Sequence, residues 1–272
     1  MNKLFNRILV GIVGIPIVLY LIYLGETYFS LFIFFVSVIA LYEFHNMFKT
    51  KNISRDFIVS IFANFFVISI FANFPNIETY LIFLGLILIL SFIIILFSNE
   101  NSVKSLFTIV FGIIYISFSF GTLILNRNFF VEKQGIYFTF FLFGTIWSFD
   151  SFAYFVGKFF GKKKLFERIS PKKTWEGEIG GIIGAILFSI FFKIQFLNFL
   201  EMSDVIIIAI LCSIFGTFGD LFESMLKRNC EIKDSSKLLF GHGGVLDRFD
   251  SLIFVSPIVF IYLKFFLNEY KK

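Results

Sequence analysis

The apolar residues of this chain come in runs of about 17–25, the length a helix needs to cross the hydrocarbon core of a bilayer. Nine such runs can be placed, at 8–24, 28–46, 57–74, 80–97, 106–125, 136–157, 179–199, 204–224 and 250–267. With 58% hydrophobic and 16% charged residues, the sequence predicts an all-α, polytopic integral membrane protein of about nine transmembrane helices. The first run follows Lys3 and Arg7 as a signal peptide would. No small-residue cleavage site comes after it, so it is read as a span.

The basic residues orient these spans. Lys3, Arg7, Lys49, Lys51, Arg55, Lys104 and the charged loops 158–178 and 227–250 all fall on one side. Arg127, Lys133, Lys193, Lys264, Lys271 and Lys272 fall on the other. The bias places the N-terminus and both charged loops in the cytoplasm, at a cell inner (cytoplasmic) membrane. Nine spans would put the C-terminus outside, where Lys271 and Lys272 fit the bias poorly. A basic balance confined to short loops does not point to nucleic acid. Cys212 and Cys230 lie in different surroundings without metal-ligand spacing, and both are read as unpaired. Residues 1–135 carry little polarity and are expected to pack, anchor or dimerise. Residues 136–272 are expected to form the catalytic region.

Charges beside a bilayer are costly unless they serve a site, and here they form three clusters. In the first, Asp150 interrupts an apolar run with Tyr154 one helical turn on. The loop then reads KKKLFERISPKKTWEG. Ser170 before Pro171 has the form of an N-cap followed by proline at the first helical position, and Thr174 could start a further turn. A helix start beside Lys172 and Lys173 would cradle phosphate. Lys162, Lys163 and Lys164 are read as topology and headgroup residues.

The second cluster, GTFGDLFESMLKR, sets Asp220, Glu223 and Lys227 on one helical stripe. Two like charges one turn apart call for a cation or lysine between them; an ion-paired helix end is the bland alternative. The third, HGGVLDRFDS, puts Asp247 and Asp250 one turn apart at a helix start. Such a pair could hold Mg²⁺ together with substrate phosphates. Gly241, Gly243 and Gly244 suit an anion-binding turn. His242 is as readily structural as catalytic, and His45 is read as structural. Together the clusters suit metal-assisted phosphoryl or nucleotidyl transfer to a lipid.

On these residues the chain resembles the phosphatidate cytidylyltransferase (CDP-diacylglycerol synthase) family. That family's signature has the form S-x-apolar-K-R-x4-K-D-x-G/S/A, then HGG-apolar-x-D-R-apolar-D. Ser224, Lys227, Arg228, Lys233, Asp234, Ser236, His242, Gly243, Gly244, Asp247, Arg248 and Asp250 supply it. SPKKTWEG and the GD…ES of Gly219 to Ser224 match as well, so the resemblance covers about residues 145–255. Phe240 stands where members commonly carry proline, and Ser236-Lys237 where they carry Gly-His.

The resemblance implies that CTP and phosphatidate give CDP-diacylglycerol and diphosphate, with Mg²⁺ and a monovalent cation as a further candidate. It implies Asp220, Asp247 and Asp250 as metal ligands, aided by Glu223. Lys227, Arg228 and Arg248 would hold triphosphate or the lipid phosphate. Ser170, Lys172, Lys173 and Thr174 would close over nucleotide or headgroup, and His242, Gly243 and Gly244 would shape the pyrophosphate side. A homodimer is implied only by the same resemblance. A CTP-dependent lipid kinase is the competing enzyme reading. A transporter would show repeated halves and polar residues at mid-membrane, and the sequence shows neither. A non-catalytic relative, damaged near Phe240, is the remaining alternative.

Overall fold

A computed structural model describes residues 3–48, 53–73, 77–96, 102–239 and 243–267. The helices are α1 (Lys3–Leu24), α2 (Glu26–Phe48), α3 (Ile53–Asn73), α4 (Ile77–Leu96), α5 (Ser102–Gly112) and α6 (Ser119–Asn128). They continue with α7 (Glu132–Phe160), α8 (Trp175–Phe196), α9 (Met202–Asn229) and α10 (Leu246–Phe266). A π-helical segment, Ile113–Phe118, joins α5 to α6, and strands β1 (Lys164–Phe166) and β2 (Ser170–Thr174) join α7 to α8. Each of the nine runs expected from the sequence falls mainly on helix. Seven helices among the described residues are long and apolar enough to cross a membrane, and two shorter apolar stretches, Ile12–Leu24 and Thr79–Ile93, account for the other runs.

The chain divides into two compact units. One comprises Met1–Leu125 with Cys230–Phe249, the other Asn126–Asn229 with Asp250–Lys272. The first unit has an apolar core of fully buried Phe29, Ile33, Ala40, Leu41 and Phe44 from α2. Some of the polar atoms buried there are matched between helices, while others, such as His45 Nδ1 and Asn64 Oδ1, have no hydrogen-bond partner among the described residues. His45 Nε2 meets Ser60 Oγ at 2.8 Å, and Asn64 Nδ2 donates to Ser37 Oγ at 2.8 Å. His45 is thus fully buried in this core.

The second unit is built on an antiparallel pair, α7 and α8, brought together by glycine. A Cβ at Gly180 would lie 2.6 Å from Val156, one at Gly181 2.6 Å from Phe149 and one at Gly184 2.2 Å from the Phe152 ring. Small residues at helix contacts let backbones approach so that dispersion replaces the missing hydrophobic drive. Further along the pair, Thr145 and Ser189 hydroxyls meet at 3.3 Å. Helix α9 meets α10 by the same device: a Cβ at Gly219 would lie 2.4 Å from the Asp250 carbonyl oxygen.

Ser170 does not cap a helix. It opens β2, paired antiparallel to β1 with Phe166 opposite Ser170 and Lys164 opposite Thr174. Proline biases its predecessor towards extended backbone and is tolerated at a strand's edge, so SPKKT reads equally as strand. The cap is Thr174, whose Oγ1 accepts from Gly177 N at 3.2 Å. Helix α8 therefore starts at Trp175, ahead of the expected span.

The α7–α8 contact leaves little room for added bulk. Replacing Gly181 or Gly184 with leucine should destabilise the protein by at least about 1–3 kcal/mol through overpacking. Thermal unfolding in detergent will read this. Gly85→Ala, where nothing lies within 4 Å, should leave the midpoint unchanged or slightly raised.

Candidate active site

The second unit contains a cavity of about 590 Å³ at the end of α7 and α8 beneath the β1–β2 hairpin. Its size suits a nucleotide or a lipid headgroup. Asp150, Tyr154 and Lys158 reach it from α7, Lys164 from β1, Lys172, Lys173 and Thr174 from β2, Glu178 from α8 and Asp220 from α9. Asp150 and Tyr154 thus share a face as their spacing predicts. Lys172 and Lys173 both line the cavity, although from a strand rather than a helix start.

Opposite charges are interleaved here. Lys173 Nζ lies 2.8 Å from Asp220 Oδ2, and Ser224 Oγ donates to Asp220 Oδ1 at 3.2 Å. Glu178 accepts the Thr217 hydroxyl at 2.8–2.9 Å. Asp250, half-buried at the start of α10, receives Ser251 N at 2.7 Å. It interacts electrostatically with Asp220, Asp150 and Lys227. Three carboxylates in mutual range repel unless cations lie among them. Glu223 is buried, and its carboxylate takes the Lys227 ammonium in an ion pair one turn on. The expected stripe of Asp220, Glu223 and Lys227 is therefore divided, with Asp220 turned to β2 and Glu223 to Lys227.

Among the described residues no three His, Cys, Asp or Glu side chains form a ready-made metal cage. Mg²⁺ binds through one or two carboxylates and completes its octahedron with water and substrate phosphates. Asp220 and Asp250 offer such oxygens.

In the first unit the loop before α10 is organised around two carboxylates. Asp247 Oδ2 accepts Gly244 N at 2.7 Å, Ser235 N at 2.9 Å and Ser235 Oγ at 2.9 Å. Gly243 has φ +81°, and a Cβ there would lie 2.4 Å from Asp247 Oδ2. Only glycine fits on both counts. Leu239 N closes the loop onto Gly243 O at 3.1 Å. The second carboxylate is Glu43 of α2, which accepts four hydrogen bonds from Ser235, Ser236, Val245 and Leu246. Arg228 and Arg248 are exposed. Phe240, Gly241 and His242 lie outside the described residues.

Sequence reasoning missed Glu43, Glu178 and the place of Lys164 and Lys158 in the cavity. A carboxylate within or beside an apolar run was the available signal for both glutamates. The lysines carried no signal beyond topology.

The chain matches the cytidylyltransferase family over residues 5–266. It is 36% identical over 265 residues to the phosphatidate cytidylyltransferase of Bacillus subtilis (strain 168), covering 96% of this chain and 98% of that protein. Identity to the phosphatidate cytidylyltransferase of Staphylococcus haemolyticus (strain JCSC1435) is 34% over 262 residues, 94% of this chain and 98% of that one. The phosphatidate cytidylyltransferase of Haemophilus influenzae (strain ATCC 51907 / DSM 11121 / KW20 / Rd) is 44% identical over 139 residues, 49% of this chain and 48% of that protein.

The side chains of Lys173 and Asp220 are 24% and 34% exposed, so their pairing should contribute only about 0.2–1 kcal/mol to stability. A double-mutant cycle of Lys173→Met and Asp220→Asn, followed by thermal unfolding, checks this. Coupling well above that range would make the pair a structural fastening.

Proposed function

The chain belongs to the cytidylyltransferase family, and we propose that it transfers the cytidylyl group of CTP to phosphatidate, releasing diphosphate and leaving CDP-diacylglycerol in the membrane. The observation that carries this reading is the cavity in which Lys158, Lys164, Lys172 and Lys173 face Asp150, Glu178 and Asp220. Four ammonium groups suit a polyphosphate, and carboxylates beside them suit the metal that accompanies one. The helices that end at this cavity are apolar enough to sit in a bilayer, where a lipid substrate is found.

In the reaction a phosphate oxygen of phosphatidate forms a bond to the α-phosphorus of CTP. The bond from that phosphorus to the bridging oxygen breaks, and diphosphate leaves with the electron pair. The lipid phosphate is already ionised near neutral pH, so no strong general base is needed. The protein's work is alignment and charge neutralisation. Lys172 and Lys173 hold phosphate oxygens from β2, with Ser170 and Thr174 bounding the same strand. Lys164 and Lys158 neutralise the far side of the cavity. Asp220 and Asp250 would hold Mg²⁺, and Asp247 is assigned as a metal ligand on the family pattern alone. Mg²⁺ when bound supplies neutralisation of the phosphate oxygens. Glu223 pairs with Lys227 at the end of α9. Arg228, Arg248, His242, Gly243 and Gly244 are assigned to substrate phosphates, on the family pattern alone. The positive-inside bias puts this chemistry on the cytoplasmic face of the inner membrane.

The test is turnover by purified protein in phosphatidate–detergent micelles with CTP labelled at the α- or γ-phosphate. Label from the α-phosphate should enter the lipid, with diphosphate released. Label entering only from the γ-phosphate, with CDP released, would replace this reading by the kinase. Asp220→Asn and Lys173→Gln should each lower kcat/KM by about 10²–10³, the cost of removing one preorganised charge at a transferring phosphoryl group.

A further inference from the structure

We propose that Glu43 is a positioning residue for the reaction, fastening Ser235 and Ser236 to the start of α10 so that Gly243, Gly244 and Asp247 hold their working positions. The proposal rests on the cytidylyl-transfer reading and on contacts within the first unit. Glu43 is 1% exposed, and burying a carboxylate costs several kcal/mol unless its lone pairs are filled. Here they are filled from both ends of one loop. Oε1 accepts Ser236 Oγ at 2.6 Å and Val245 N at 2.9 Å. Oε2 accepts Leu246 N at 2.8 Å and Ser235 Oγ at 3.0 Å. The two ends of the loop are thereby fastened to one carboxylate.

The placement serves the loop rather than α2. Glu43 sits in the penultimate turn of α2, where the helix dipole disfavours negative charge. Its partners Val245 and Leu246 lie at the N-terminus of α10, where N–H groups lack helical acceptors and the dipole favours an anion. Glu43 thus caps α10 from another helix.

The same contacts reach Asp247. Ser235 stands between both carboxylates: its N donates to Asp247 Oδ2, and its Oγ, with one proton to donate, lies 3.0 Å from Glu43 Oε2 and 2.9 Å from Asp247 Oδ2. Gly244 leaves no room for slack: a Cβ there would lie 2.1 Å from Ser235 Oγ and 2.4 Å from Glu43 Oε2. The direction in which the Asp247 carboxyl points is therefore set by Ser235 and Gly244, and their positions are set by Glu43. Replacing Glu43 with glutamine puts an amide N–H₂ against these donors and removes the charge while preserving shape.

The experiment combines two readouts on the full-length protein in detergent. In turnover, Glu43→Gln should raise the Mg²⁺ concentration for half-maximal rate by about 10–100-fold, the usual cost of losing a group that orients a metal ligand. Ser235→Ala should act in the same direction, and the double variant should be no worse than Glu43→Gln alone. By hydrogen exchange without substrates, Glu43→Gln should speed exchange across 243–247, leaving α7 and α8 unchanged. Unaltered Mg²⁺ dependence in a folded Glu43→Gln protein, or additive effects with Ser235→Ala, would overturn the proposal. Should Glu43→Gln fail to fold, Ser235→Ala and Ser236→Ala decide it by the same two readouts. Absence of cytidylyl transfer by the unaltered protein would instead sink the functional reading; unchanged exchange in Glu43→Gln would then overturn the clamp.

Discussion

The cavity of the second unit depends on how closely α7 and α8 approach. In lipid, apolar side chains gain nothing by leaving one solvent for a similar one, so helices associate only where their surfaces fit. Gly177, Gly180, Gly181 and Gly184 give α8 a smooth face, and Ala153, Val156, Phe149 and Phe152 of α7 occupy it. Beside this contact the same two helices present Asp150, Tyr154, Lys158 and Glu178 to the cavity. The backbone separation that glycine permits is what brings those side chains to one cavity.

Much of this was legible in the sequence, for reasons that can be named. Apolar run length is a one-dimensional property, and it located the helices. Charge at the ends of those runs marked Asp150 and Asp220, which line the cavity, because carboxylates at membrane depth are costly. The local reading of SPKKT failed because an N-cap and the first residues of a strand share the same backbone region. Only the pairing of Phe166 with Ser170 separates them, and pairing is not a local property.

Glu43 was missed for a related reason. Its four donors come from residues 192 to 203 positions away in sequence, and nothing adjacent to Glu43 announces them. Likewise Glu223 looked equivalent to Asp220, three residues before it. The structure separates them by burial, one facing a cavity and the other a lysine on its own helix. Spacing finds which residues share a face, whereas the partners of that face lie on other elements.

The hairpin bearing Lys164, Lys172 and Lys173 is short, and two strands alone are marginal. It is fastened at both ends to helices. Glu176, in the first turn of α8, takes the Lys162 and Lys163 N–H groups at 3.0–3.2 Å, and Trp175 N donates to Lys163 O at 3.0 Å. The exit of α7 and the entrance of α8 are thus welded through one carboxylate. The backbone that carries these lysines is therefore tied to the exit of α7 and the first turn of α8, which leaves their long side chains as the part of the hairpin free to adjust to what enters the cavity.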